Sequence, residues 1–150
     1  MSARHESAIG HVTGRAVYTD EQHEPRGLAS LYPVQAPHAH AKLLALDAAA
    51  ARAMPGVLAV LTAADIPGEN DTGPIRHDEP MIAADTIAYW GQPVAWVVAT
   101  NEARAKSAAA HVEARYEPLP ACLSIDEAIA RGQYFGPPAM VARGDAPQAL

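Results

Sequence analysis

A chain of 150 residues is about one domain, and 49% hydrophobic residues fill a real core even though aromatics supply only 5%. The net charge of −6, with no stretch that concentrates Lys and Arg, excludes the electrostatic footprint of a nucleic-acid binder. No apolar run approaches the roughly 18 residues that suggest a membrane span, and no charged-then-apolar leader opens the chain, so the composition predicts a soluble cytoplasmic protein with neither a nucleic-acid nor a membrane partner.

Residues 1–26 are polar and carry little periodicity, which predicts a mostly extended arm. From Gly27 the run "GLASLYPV" predicts a first strand with Leu28, Ser30 and Tyr32 on one face. "AKLLALD" predicts a second strand, roughly Ala41 to Leu46. Asp47 then reads as a helix N-cap, because its carboxylate can accept from the free amides of the next turn. "AAAARAM" has strong helix propensity, and Pro55 and Gly56 stop it. "VLAVL" (Val57–Leu61) is apolar on both faces, as a central, doubly covered strand would be.

Thr62–Pro80, "TAADIPGENDTGPIRHDEP", predicts a short helical turn and then a long loop, since its Gly, Pro, Asn and Asp content sustains no regular element. Loops of this length inside compact domains tend to be functional or to touch a partner. "DTIAYWGQPVAWVVAT" predicts a strand, a break at Gly91 and a second strand. Pro93 fits only the start of that strand, because it donates no amide hydrogen. Val94, Trp96 and Val98 face one way, and Ala95, Val97 and Ala99 the other, so the strand should be buried.

Asn101 caps the next helix, in which Ala105, Ala108, Ala109 and Val112 make a narrow small-residue face. Glu102 and Lys106 form an i, i+4 pair on its wet side. "VEARYEPL" (Val112–Leu119) alternates as a strand does. "SIDEAIARG" is a last helix, with Ser124 and Glu127 as a capping box and Gly132 as its stop. Residues 133–150 are a Pro/Gly-rich tail with a short apolar patch around Met140. The helices are few and short and the strands come in runs, which predicts an α+β fold rather than a regular parallel sheet.

Chemistry-bearing residues are sparse. His38 and His40 stand one residue apart in "PHAHA". On a strand they would share a face roughly 6.5–7 Å apart, a spacing that holds a metal only if further ligands arrive from elsewhere. His5, His11, His23, His77 and His111 show no paired ligand spacing. Asp78–Glu79 and Asp126–Glu127 are adjacent acids, which point apart on regular elements and make poor acid/base dyads. The second pair is explained by a helix N-terminus, where negative charge is favoured. Glu69, Asp71, Asp78 and Glu79 read as a solvated loop surface. Cys122 is the only cysteine. It cannot form an internal disulfide or hold an iron–sulfur cluster, which usually takes four thiolates, and "LPACLSI" predicts a buried, inert thiol. The serines Ser2, Ser7, Ser30, Ser107 and Ser124 lack a nucleophile-elbow setting. No phosphate-binding loop or dinucleotide fingerprint is present, and the tripeptide ending at Asp145 that starts with Arg143 is a chance match to an adhesion motif. The residues alone name no catalytic, cofactor-binding or metal site.

Six segments carry more when taken together. "ESAIGHVTGRAVYTDE", "PHAHAKLLALD", "PGVLAVLTAADIPGENDTGP", "HDEPMIA", "WGQPVAWVVA" and "ARYEPLPA" follow one another in the order seen at the start of the molybdenum-binding subunits of the xanthine dehydrogenase/aldehyde oxidase family. From about Glu6 to Leu150 the chain resembles that family, with "ADIPGENDTGP…HDEP" pointing to its xanthine dehydrogenase branch. Val34-Gln35-Ala36 and Trp90 depart from its usual pattern. The resemblance implies an α/β-hammerhead domain over residues 27–132, preceded by the arm 1–26 and followed by a linker, 133–150, toward a molybdopterin-binding domain that the chain lacks.

It further implies that molybdopterin and its molybdenum belong to the rest of the subunit, with iron–sulfur clusters and FAD elsewhere in the complex, and that no residue here is catalytic, cofactor-binding or metal-binding. The expected partners are the remainder of the molybdenum-binding subunit and an iron–sulfur/FAD partner subunit. The whole enzyme would hydroxylate hypoxanthine and xanthine and pass electrons to NAD, while this segment alone would be inactive. The histidines of "PHAHA" then become a landmark that orients the start of a strand through ring nitrogens and backbone groups. An aldehyde-oxidising relative, a freestanding interaction module that uses the Thr62–Pro80 loop, and a small protein binding zinc or copper through His38 and His40 remain as alternatives.

Overall fold

The computed structural model describes residue 5, residues 7–137, residue 141 and residues 143–145. Among the described residues, six strands and four helices follow the expected order, with one addition at the start. That addition is α1 (Ala8–Thr13), followed by a single 3-10 turn at Thr19–Glu21. The leading arm is therefore not extended throughout. Local bonds alone shape it: the Thr13 hydroxyl donates back to the Ile9 carbonyl at 2.6 Å, and the Glu21 carboxylate accepts from the Tyr18 amide at 3.0 Å. No residue of α1 is buried.

Strands β1 (Ser30–Gln35), β5 (Pro93–Ala99) and β3 (Val57–Leu61) form one antiparallel sheet in the order β1-β5-β3. Strands β4 (Thr86–Ile87), β2 (Ala41–Asp47) and β6 (Glu113–Pro118) form a second, in the order β4-β2-β6. β5 lies at the centre of its sheet, as its two apolar faces require, and pairs Val97 with both Tyr32 and Val60. Its Ala95, Val97 and Ala99 are fully buried, whereas Trp96 and Val98 on the other face are only half covered. Pro33 sits on the edge strand β1 and Pro93 opens β5, both places where a missing amide hydrogen is tolerated.

β3 is not the central, doubly covered strand that its apolar sequence predicts. It is an edge strand, with Leu58 60% exposed. Its covering helix is too short to do more. α2 spans only Ala49–Arg52, because Ala48 takes the cap position and Pro55-Gly56 follows at once. The Asp47 carboxylate still accepts from the Ala49 amide at 2.8 Å, and Arg52 donates to the Val60 carbonyl at 3.1 Å.

Helix α3 (Glu102–Ala109) starts where Asn101 accepts from the Arg104 amide at 2.9 Å. Ala105 and Ala108 are fully buried, and their small size lets the helix lie close on β1 and β5. Lys106 does not pair with Glu102. Its ammonium lies 5.9 Å from the centre of the Tyr32 ring. Helix α4 (Ile125–Arg131) has its Ser124 cap, 3.2 Å from the Glu127 amide, and its left-handed Gly132 stop. The Glu127 carboxylate reaches the Leu123 amide, one residue earlier than the capping box predicts.

One core cluster joins the two sheets. It holds Val34, Val60, Ile87, Val94 and Val97 among many alanines. Ile87, on β4 opposite Ala41 of β2, is its largest fully buried apolar side chain. Antiparallel sheets with few short helices make this an α+β domain, as expected. The apolar patch around Met140 lies outside the described residues.

Candidate functional site

The histidine pair lies in the bend between β1 and β2 rather than on a strand. The two rings therefore go to different partners. His38 packs edge-on against Tyr116, with ring centres 5.0 Å apart. His40 donates from Nδ1 to the Pro120 carbonyl at 2.8 Å, while its own carbonyl accepts from the Leu119 amide. The pair clasps the start of β2 to the end of β6. Burial pushes the Tyr116 phenol up, so the ring facing His38 stays neutral. His5 pairs with Ser7, His11 with Tyr18, and His111 with the Ser107 carbonyl. None of these joins His38 or His40.

The long loop is more ordered than its composition suggests. At its start Asp65 closes a 3-10 turn, and the Thr62 amide, then the Thr62 hydroxyl, hold its carboxyl below the usual carboxylate range against a smaller opposing effect of burial. Further on, Asn70 zips to Ile82 in both directions, donating to the Ile82 carbonyl at 2.7 Å and accepting from its amide at 3.1 Å. Thr72 donates twice to the Glu79 carbonyl. Asp71 sits inside this closure and accepts from the Gly73 amide at 2.7 Å, the Glu79 amide at 3.2 Å and His77 at 3.0 Å. A Cβ at Gly73 would meet the Arg76 carbonyl at 1.8 Å, so only glycine permits this path. Arg76 donates to the Phe135 carbonyl at 2.7 Å and ties the loop tip to the segment after α4.

Glu69, Asp71 and His77 bring three donor atoms within 4.8 Å of one another. Asp71, taken from the sequence as solvated, is instead nearly buried. Both its oxygens are spent on Gly73, Glu79 and His77, which leaves a short set for a cation. Glu79 contributes its backbone to the closure. Among the other acids, Glu127 pairs with Arg131 within α4.

The Asp71 carboxyl lies below its usual range, mainly through the Gly73 amide, with the Glu79 amide and His77 adding to it and burial opposing. A depressed folded value means that the unfolded loop binds the proton first. The stabilisation is complete above the ordinary Asp range and is lost as pH falls through it toward the folded value. Proteolytic nicking within residues 70–82 should therefore rise below about pH 4 in the unaltered chain. Asp71→Asn should nick faster at neutral pH, with no further rise in acid. Parallel pH profiles for the two proteins would refute this role.

Gln92 is the buried polar residue that sequence reasoning passed over. Only 1% exposed, it accepts from the Ala88 amide at 2.7 Å through its side chain and from the Ala36 amide at 2.9 Å through its carbonyl. "WGQP" signalled the strand break, but nothing local marked the glutamine as the knot between that turn and the β1–β2 bend.

A groove of about 750 Å³ opens between the turn at Tyr89 and Trp90 and the segment Pro120–Ile125. His40 and Cys122 lie in its wall. Cys122 is half-buried rather than buried, because the strand register ends at Pro118 and leaves this segment on the surface. Trp90, Leu123 and Ile125 are 71%, 77% and 79% exposed.

The family model for the a/b hammerhead domain of aldehyde oxidase and xanthine dehydrogenase matches residues 13–120. The chain is 42% identical over 130 residues to a xanthine dehydrogenase of Oryza sativa, covering 87% of this chain and 10% of that protein. It is 36% identical over 142 residues to aldehyde oxidase 3 of Rattus norvegicus, covering 94% of this chain and 10% of the relative. Among solved structures, the aldehyde oxidoreductase from Desulfovibrio desulfuricans superposes with a TM-score of 0.74 at 33% identity, over 83% of this chain and 15% of that one. The chain thus spans about a tenth of the length of these relatives.

Proposed function

We propose a structural role for this chain, which belongs to the aldehyde oxidase and xanthine dehydrogenase family through its α/β-hammerhead domain. In this reading it is the N-terminal domain of a xanthine dehydrogenase molybdenum-binding subunit. The observation that carries it is the 42% identity to a xanthine dehydrogenase over most of this chain but only a tenth of that relative. Residues 1–26 serve as an arm, 27–132 as the hammerhead domain and 133–150 as the linker toward a molybdopterin-binding domain. The whole enzyme hydroxylates hypoxanthine and xanthine in cytoplasmic purine breakdown, with NAD as electron acceptor. An iron–sulfur/FAD subunit is its partner.

We propose that molybdopterin is held elsewhere in the subunit. Among the described residues no buried side-chain polar atom lacks a partner, and the buried Gln92 spends its side-chain oxygen on Ala88. In this reading no residue of the chain is catalytic, cofactor-binding or metal-binding.

An aldehyde-oxidising enzyme is the second reading, favoured by the 36% identity to an aldehyde oxidase. The test is the intact mass of the native polypeptide, followed by its molybdenum content and its turnover of xanthine and of aldehydes. A chain several times heavier than 15.8 kDa that holds molybdenum and turns over xanthine is the expected result. Turnover of aldehydes but not xanthine selects the second reading. Xanthine turnover by the purified 150-residue chain, or a native chain of 15.8 kDa without molybdenum, would overturn the structural role.

A further inference from the structure

Helix α4 is fully specified and almost unused. It has a Ser124 cap, acids in its first turn, an Arg131 in its last turn and a left-handed Gly132 stop. Yet none of its residues is buried. A helix of seven residues is far below the length that holds itself in water, so it needs a packed face. Ile125 and Ile129 lie four apart and share a face, and they are 79% and 57% exposed. Two of the charged groups of the helix, Glu127 and Arg131, pair with each other.

That face borders the groove, whose other wall is Trp90. Leu123 lies in the groove wall at 77% exposure, and Phe135, 99% exposed, lines a neighbouring recess that shares Cys122 and Ala128 with the groove. Exposed apolar side chains grouped in this way mark an interaction site. Two further observations name the occupant. Helix α4 lies beyond residue 120, where the match to the hammerhead family ends, while the relatives are about ten times as long as the matched stretch. The chain also leaves Gly132 along this surface, where Gln133, Tyr134 and Phe135 line a recess continuous with Cys122 and Ala128. Arg76 holds that departing strand of chain to the long loop. The described chain thus runs beside the groove as far as Phe135, so a segment continuing it would meet the groove at high effective concentration.

We propose that α4 and the groove beside Trp90 are the seat of the polypeptide that continues from this domain in the molybdenum-binding subunit, through an apolar face of that same chain. The proposal rests on the structural role argued above. Cys122 in the groove wall reports on it. In the native full-length polypeptide, Cys122 should react slowly with a maleimide and the amides of 125–131 should be protected from hydrogen exchange. Ile125→Glu with Ile129→Glu should raise the Cys122 labelling rate by about tenfold or more. If the double variant does not accumulate, the protection of the unaltered enzyme decides alone.

A long native chain with rapid Cys122 labelling and freely exchanging α4 amides overturns the seat and leaves the structural role standing. A native chain of 15.8 kDa overturns both. If that short chain were a dimer with α4 protected, the occupant would be a second copy.

Discussion

Ile87→Ala is expected to lower the free energy of unfolding by about 2–5 kcal/mol. Ile87 is fully buried and is the largest apolar side chain in a cluster otherwise built mainly of alanine and valine. Alanine neighbours have no side-chain length with which to fill a hole, so the cavity left by three carbons should persist rather than collapse. The residue also sits on the two-residue strand β4, whose pairing with β2 gives little support of its own. Against a typical domain stability of about 5–15 kcal/mol, the loss threatens folding. Urea unfolding should show a lower midpoint with an unchanged slope. A cost below about 1 kcal/mol would mean that the two sheets do not share one core through this position.

Gln92→Leu should cost about 0.5–1.5 kcal/mol, the net worth of one hydrogen bond, because Ala88, whose amide loses its partner, is an exposed residue. Leucine nearly preserves the volume, so packing changes little and the polar loss dominates. The group left without a partner is the Ala88 amide, which now donates to the Gln92 side chain at 2.7 Å. The backbone bond from Ala36 to the Gln92 carbonyl would survive. The damage should therefore concentrate at the β4–β5 turn, and hydrogen exchange at Ala88 is the readout. If Gln92→Leu is neutral or stabilising while Ala88 stays protected, water or a shifted backbone replaces the glutamine, and its role as a knot is wrong.

The two variants test different bonds in one region, and their effects should not simply add. Ile87 and Gln92 flank the same turn, and residues that share neighbours usually couple. A double variant that loses less than the sum would show that the turn has already loosened in either single change.

Much of the fold was legible because its signals are local. Asn101 and Ser124 cap α3 and α4 as their side chains predict, since a cap needs only amides two or three residues away. β5 takes the centre of its sheet because both faces of "VAWVVA" are apolar, although Trp96 and Val98 are only half covered. The segments that resemble the hammerhead domain point to the family to which the chain belongs. The candidate site was less legible. Asp71 looks like one more acid in a polar loop, and its near-burial depends on Gly73, His77 and Glu79 folding back over it. Gln92 looks like an ordinary turn residue until Ala36 and Ala88 are placed beside it.

By itself, then, the sequence determined the order of the strands and principal helices, the caps, the buried central strand and the family. It did so because hydrophobic period and capping chemistry are properties of neighbours along the chain. Only the tertiary structure decided how six strands divide into two sheets and which of them is an edge. Val57–Leu61 reads as central and is not, because a strand's place depends on what lies beside it after distant segments meet. The same holds for His38 and His40, whose separate partners are 78 and 80 residues onward, at Tyr116 and Pro120. It holds also for α4, whose helical signals are complete while its packing face is supplied by nothing within the described domain.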